Sequence, residues 1–146
     1  MSQTFKALRR AADAEAADAR LDELRYIIER GLSTVWLERG LPQAAQVTEL
    51  DRIVPRDGCS LMYSAVACCH PEAVALLLLH GVSPHAPAIV DPGGARDAVE
   101  VCERLSPSPA RTLILQMLRD RDTDAALAFA RAHALGACVR WLTRSR

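Results

Sequence analysis

Residues Asp57 to Ala86, DGCSLMYSAVACCHPEAVALLLLHGVSPHA, decide how the rest of the chain is read. The stretch predicts a turn, a short helix, a tight corner, a second and very apolar helix, and a stop. Pro71 and Glu72 suit the start of the second helix: proline gives up nothing in a first turn, and a carboxylate faces the positive end of the helix dipole. Gly81 suits its end, where a left-handed residue is wanted. Between them Ala73, Val74, Ala75, Leu76, Leu77, Leu78 and Leu79 leave no polar side. A helix that is apolar all round must be buried on more than one face. This segment is therefore expected to be an inner layer, with helices packed before and after it.

Towards the N-terminus, Thr4 is placed to cap a helix from Phe5 to about Arg20, rich in alanine and other helix formers. A second helix, LDELRYIIERG, sets Leu21, Leu24, Ile27 and Ile28 on one face and Asp22, Glu23, Arg25, Glu29 and Arg30 on the other, and Gly31 ends it. Residues 32–56 are the least regular part: Val35, Trp36 and Leu37 suit a strand or a helical turn, while Gly40, Pro42 and Pro55 mark bends. Towards the C-terminus, Ser83 to Gly94 reads as a loop bounded by prolines and closed by Gly93-Gly94. A helix ARDAVEVCERL follows, with Ala98, Val101, Cys102 and Leu105 on one stripe. Ser108 as N-cap and Pro109 at the first position open the next helix, ARTLILQMLRD, which is expected to pack Leu113, Ile114, Met117 and Leu118. Asp122 or Thr123 caps a last helix, DAALAFARAHA. Gly136 breaks it, and ACVRWLTRSR closes the chain with Val139, Trp141 and Leu142 inward.

The central stretch resembles an ankyrin repeat, a turn plus two helices with a period near 33 residues. Asp57 and Gly58 match the turn, Ser60 the hydroxyl residue that opens the first helix, and Ala65 the small residue where helices approach. His70 matches the corner histidine, Val74, Leu76, Leu77 and Leu78 the core of the second helix, and Gly81 its terminator. Leu61, Tyr63, Cys69 and Ser83 stand where the family has proline, histidine, glycine and aspartate. Ala7, Leu8, Ala11 and Ala12 resemble a first helix, and the run from Leu24 to Gly31 mirrors that from Val74 to Gly81. The resemblance implies an all-α fold: a short ankyrin-like solenoid of about four helix-turn-helix layers with long finger insertions, in one domain, 1–146. Its repeats fall at about 4–31, 57–86, 95–121 and 122–146, with 32–56 as an insertion. The two terminating glycines lie 81 − 31 = 50 residues apart, longer than the usual period, so the insertion is either a long finger or a small extra helix. Polar faces on the outer layers suit the ends of such a stack.

Composition limits the function classes. Half of the 146 residues are hydrophobic and 25 % are charged, which makes a globular chain able to bury a core. Zero formal net charge argues against general binding to nucleic acid or anionic membranes, and 4 % aromatics against base stacking. Lys6 is the sole lysine among 18 basic residues. That arginine bias can serve phosphate or carboxylate recognition, but with the alanine and proline usage it reads more readily as a GC-rich, bacterial genome. The N-terminal run has no apolar signal core and no stretch approaches the ~18 apolar residues of a membrane span. Five cysteines without framework spacing suit a reducing cytoplasm. A signal-less route out of the cell, into a host, leaves the same marks.

Cys68, Cys69, His70, His80 and His85 form the one ligand-rich cluster. Adjacent cysteines on a helix point about 100° apart and serve one tetrahedral ion poorly, so no metal or other cofactor is expected. A thiol nucleophile needs a lowered pKa and a base within reach. Cys68 or Cys69 beside His70 is the candidate, and a thiol- or metal-dependent enzyme centred on Cys68, Cys69 and His70 is the alternative reading. Cys102 and Cys138 sit on apolar stripes and read as core. Asp91-Pro92-Gly93-Gly94 lacks the phosphate-loop pattern. Asp22/Glu23 and Asp122/Asp124 read as surface or caps, and His133 as a helix-end residue.

The favoured expectation is a non-enzymatic protein–protein interaction module, adaptor, chaperone or effector in type. The resemblance implies that another protein meets its concave finger and first-helix face, at Asp57, Cys59, Tyr63, Ser64, Ala67 and Cys68. Trp36, with Glu38 and Arg39 beside it, is added from the insertion. A third reading is a homodimer in which the apolar insertion is covered by its own copy.

Overall fold

The computed structural model describes residues 2–54, 57–133 and 135. In chain order, helix α1 spans Ser2–Glu29, α2 Thr34–Ala45, α3 Leu61–Ala67 and α4 Pro71–Leu79. Strands β1, Pro87–Asp91, and β2, Gly94–Asp97, follow, and then helices α5, Ala98–Glu103, α6, Pro109–Arg119, and α7, Asp124–Ala132. The described chain is mostly helical, with one two-stranded antiparallel sheet.

All seven residues from Ala73 to Leu79 are buried in α4. The helix is enclosed by α3, its neighbour in sequence, by α2 on the N-terminal side, and by α6 and α7 on the C-terminal side. Enclosure from several directions is the arrangement that an all-apolar helix demands. Leu76 and Leu77 are wholly inaccessible, each worth about 1.5–3 kcal/mol relative to an exposed side chain.

Local chemistry fixes the ends of this pair. Ser60 Oγ accepts from the Tyr63 N–H at 3.4 Å and opens α3; His70 Nδ1 accepts from the Ala73 N–H at 3.2 Å and opens α4. At the end of α4, Val82 N–H donates to Leu77 O and Gly81 N–H to Leu78 O, both at 3.0 Å, around a left-handed Gly81 (φ +88°). That double bond pattern is the Schellman stop. The same pattern closes α1 at Gly31, where Leu32 N–H reaches Ile27 O. It recurs between α3 and α4, with His70 N–H on Ala65 O and Cys69 N–H on Val66 O. There the left-handed position belongs to Cys69, φ +50°.

Several expectations need correction, and one open choice is resolved. The helix pair expected over 4–31 is one continuous helix, because nothing between Ser2 and Glu29 breaks it: no glycine or proline interrupts a run of good helix formers. Thr4 lies inside its first turns and caps nothing. Only the second half packs, through Ala17, Leu21, Leu24 and Ile28, while every residue from Gln3 to Ala16 is exposed. The boundary coincides with Asp18, which receives the Arg52 guanidinium from beyond α2. In the insertion, the open choice resolves to a helix. Ser33 Oγ caps α2, whose Leu37, Leu41 and Ala44 are buried. Gly40 permits the close crossing with α1, since a Cβ there would stand 2.7 Å from Leu24 Cδ2.

A further correction concerns residues 95–97. Ala95 and Arg96 were expected in a helix but form β2, paired with Val90 and Ile89. The helix begins instead at Ala98, where Asp97 Oδ1 accepts from the Glu100 N–H at 2.9 Å. The hairpin is thus a small departure from an all-α chain. It docks on the turn before α3: Ser60 N–H donates to Ala88 O at 2.8 Å and Val90 N–H to Gly58 O at 2.9 Å, while Cys59 also pairs with Val54. Ser108 and Pro109 open α6 as expected, but Leu113 is exposed while Ile114, Met117 and Leu118 are buried. Thr123 precedes α7 without capping it. The cap comes from Asp120, whose Oδ2 accepts from the Ala125 N–H at 2.7 Å. Cys102 is fully buried. Cys138, Val139, Trp141 and Leu142 lie outside the described residues.

Candidate functional site

Where the packed half of α1 crosses α3, a groove of about 380 Å³ is lined by Asp22, Arg25, Tyr26 and Glu29 of α1 and by Asp57, Cys59, Tyr63 and Ser64. Its floor is a polar bridge. The Arg25 guanidinium, only 12 % exposed, donates through Nη1 to Asp57 and through Nη2 to Cys59 O at 3.1 Å. One arginine thereby clamps the turn that leads into α3. A second bridge runs from Ser64 Oγ, which donates to Glu29 Oε1 at 3.2 Å. Tyr26 and Tyr63 supply the aromatic walls, Tyr26 well exposed and Tyr63 half-buried.

Of the sequence-predicted contact residues, Asp57, Cys59, Tyr63 and Ser64 come together in this groove. Ser64 is itself buried, so it acts by holding Glu29 rather than by facing outward. Ala67 and Cys68 are exposed further along α3. Cys68 lines a neighbouring hollow of about 380 Å³ with Ile28, Glu29, Cys69, His70 and Glu72 among its walls. Trp36 does not join them. It lies in a wider apolar groove of about 600 Å³ on another flank of α1, with Ala19, Asp22, Glu23, Tyr26, Ile27 and Leu32. Arg39 is exposed near it and Glu38 half-buried.

Sequence reasoning missed the four α1 residues of the groove. Asp22, Arg25, Tyr26 and Glu29 follow the i, i+3, i+4, i+7 spacing of a single helix face. That spacing was the available signal, but charged residues opposite an apolar stripe read as a solvated face.

Three of the thiols, Cys59, Cys68 and Cys102, are raised by their surroundings. Burial pushes the Cys59 thiol up, Arg25 only partly offsetting it, and its Sγ donates to Asp57 O at 3.2 Å. Burial also raises Cys68, with the Glu29 carboxylate adding to the effect. Cys102 is raised by burial as well. His70 Nδ1 is engaged with the Ala73 N–H. Burial lowers His80. Among the described residues, no three His, Cys, Asp or Glu side chains are grouped to hold a metal ion, and no helix is long and apolar enough to cross a membrane. No protein-family model, curated protein or solved structure matches the chain.

Proposed function

We propose that the chain is a protein-binding module, an ankyrin-like stack of helical layers acting in the cytoplasm without catalysis of its own. In this reading the partner inserts a short segment into the groove between α1 and α3. The observation that supports it is the convergence of Asp57, Cys59 and Tyr63 with Asp22, Arg25, Tyr26 and Glu29 on one open, rigidly braced face. Carboxylates outnumber guanidinium groups there by three to one, and Arg25 is already held by Asp57. A partner segment presenting an arginine or lysine between Tyr26 and Tyr63 fits that balance. The rigid backing lowers the ordering cost of binding.

Affinity capture from the native cell tests the proposal. A partner retained by the wild type should be lost at least tenfold with Tyr63→Ala and with Glu29→Ala, and salt should weaken its capture. Retention of all captured proteins by both variants would overturn the assignment of this face. The alternative of a thiol-dependent enzyme on Cys68, Cys69 and His70 is disfavoured by the raised Cys68 thiol and the engaged His70 nitrogen.

A further inference from the structure

The exposed half of α1 is the feature that the fold leaves unexplained. Gln3 to Ala16 form about four turns, on the order of 21 Å of helix in which every residue is exposed. A helix of that length is marginal in water unless something packs on it. The segment nonetheless carries a face. At 100° per residue, Phe5, Leu8, Ala12 and Ala16 align, and the line continues through Ala19, Glu23, Tyr26 and Ile27. Its second half is the floor of the apolar groove walled by Leu32 and Trp36. The stripe is distinct from the buried face of Leu21, Leu24 and Ile28, whose extension into the arm is Gln3, Lys6, Arg10 and Asp13.

We propose that this stripe is the interface of an antiparallel homodimer, in which the arm of each copy lies in the Trp36 groove of the other. A two-fold axis beside Ala16 makes the stripe its own complement, as an isologous contact requires. Phe5 then meets Tyr26 and Ile27 of the second copy, while Ala12, Ala16 and Ala19 occupy the crossing, where small side chains let helices approach. The same register brings Arg9 opposite Glu23 and Asp13 within a residue of Arg20, each pair formed twice. Both pairs are of opposite charge. The arm thus matches the groove in charge as well as in shape.

The area is sufficient. Phe5 is 67 % exposed, Leu8 66 %, Tyr26 and Trp36 56 % and Leu32 41 %. With about 200 Å² for a large side chain, covering them removes on the order of 600 Å² per copy. Two copies bury about 1,200 Å², above the ~1,000 Å² of a specific interface. Tyr26 borders both this stripe and the partner groove, so the two contacts meet at that residue, while Arg25, Cys59 and Tyr63 lie outside the stripe.

Sedimentation and light scattering on the full chain test the proposal across a dilution series. The expected mass is twice 15.9 kDa. Phe5→Glu combined with Leu8→Glu should raise the dimer dissociation constant at least about a hundred-fold, leaving the thermal midpoint of the monomer intact because both residues are exposed. Arg9→Glu alone and Glu23→Arg alone should each weaken the homodimer, and mixing the two variants should restore a heterodimer. A wild type that is monomeric throughout, or a dimer indifferent to these substitutions, would overturn the proposal. So would a monomer that sediments with anionic vesicles through Phe5 and Leu8, since the stripe would then serve a lipid surface.

Discussion

Cys69 occupies a position that a glycine would fill without strain, and the consequence can be measured by comparing two substitutions there. With φ at +50° it forms the left-handed link between α3 and α4. A side chain bearing a Cβ costs about 1–2 kcal/mol in that conformation. Cys69→Gly and Cys69→Ala both remove the half-buried sulfur, so its packing cancels between them. What separates them is the backbone. Glycine recovers the ~1–2 kcal/mol but gives up about 0.5–1 kcal/mol through the greater freedom of its unfolded chain. The glycine variant should therefore be the more stable by about 0.5–1 kcal/mol. At an interior helix site the order is reversed, alanine being better by about 1 kcal/mol. Urea denaturation of the two variants measures the difference directly, and a gap of a few degrees in Tm should accompany it. Alanine as stable as glycine, or more so, would show that residue 69 is not held in the left-handed region.

Other expectations follow from burial and charge. Leu77→Ala should cost about 2–5 kcal/mol by opening a cavity in a fully enclosed helix, whereas Leu113→Ala, at an exposed site, should cost less than about 0.5 kcal/mol; denaturation of both separates the two faces of the sequence pattern. Asp120 is held below its ordinary value of 3.8, chiefly by the Ala125 N–H and also by that of Asp122. A depressed carboxyl stabilises the fold above its unfolded pKa and loses that contribution as pH falls through the folded value. Asp120→Asn should thus flatten the decline of Tm below about pH 4, and an unchanged profile would count against the cap. Alkylation of Cys59 and Cys68 should be slower at pH 7 than that of a free cysteine peptide and should rise through a midpoint above 9.0. A rate already at its plateau near neutral pH would revive the nucleophile.

The features legible in the sequence are those whose cause is local. Pro71, His70 and Gly81 bracket α4 with groups that bond within a turn of themselves, and Ser108-Pro109 does the same for α6. The enclosure of α4 was readable because seven consecutive apolar residues admit no solvent side. What escaped reading depends on partners far along the chain. Ala95 and Arg96 are extended because they pair with Val90 and Ile89, a choice that their own composition does not signal. Arg25 looks like any solvated arginine until Asp57 and Cys59, more than 30 residues on, close over it. The single long α1 is not legible because an exposed, alanine-rich arm gives no periodic mark of where the body begins.

The position of α7 carries a further consequence. It rests directly on α4, not merely on the preceding α6. Loss of the C-terminal segment would therefore not peel away an outer sheet of the molecule while sparing its middle. It would strip α4 of part of its cover at once. Melting should accordingly be all-or-none for the body, and a nick between α6 and α7 should be felt as far away as α2.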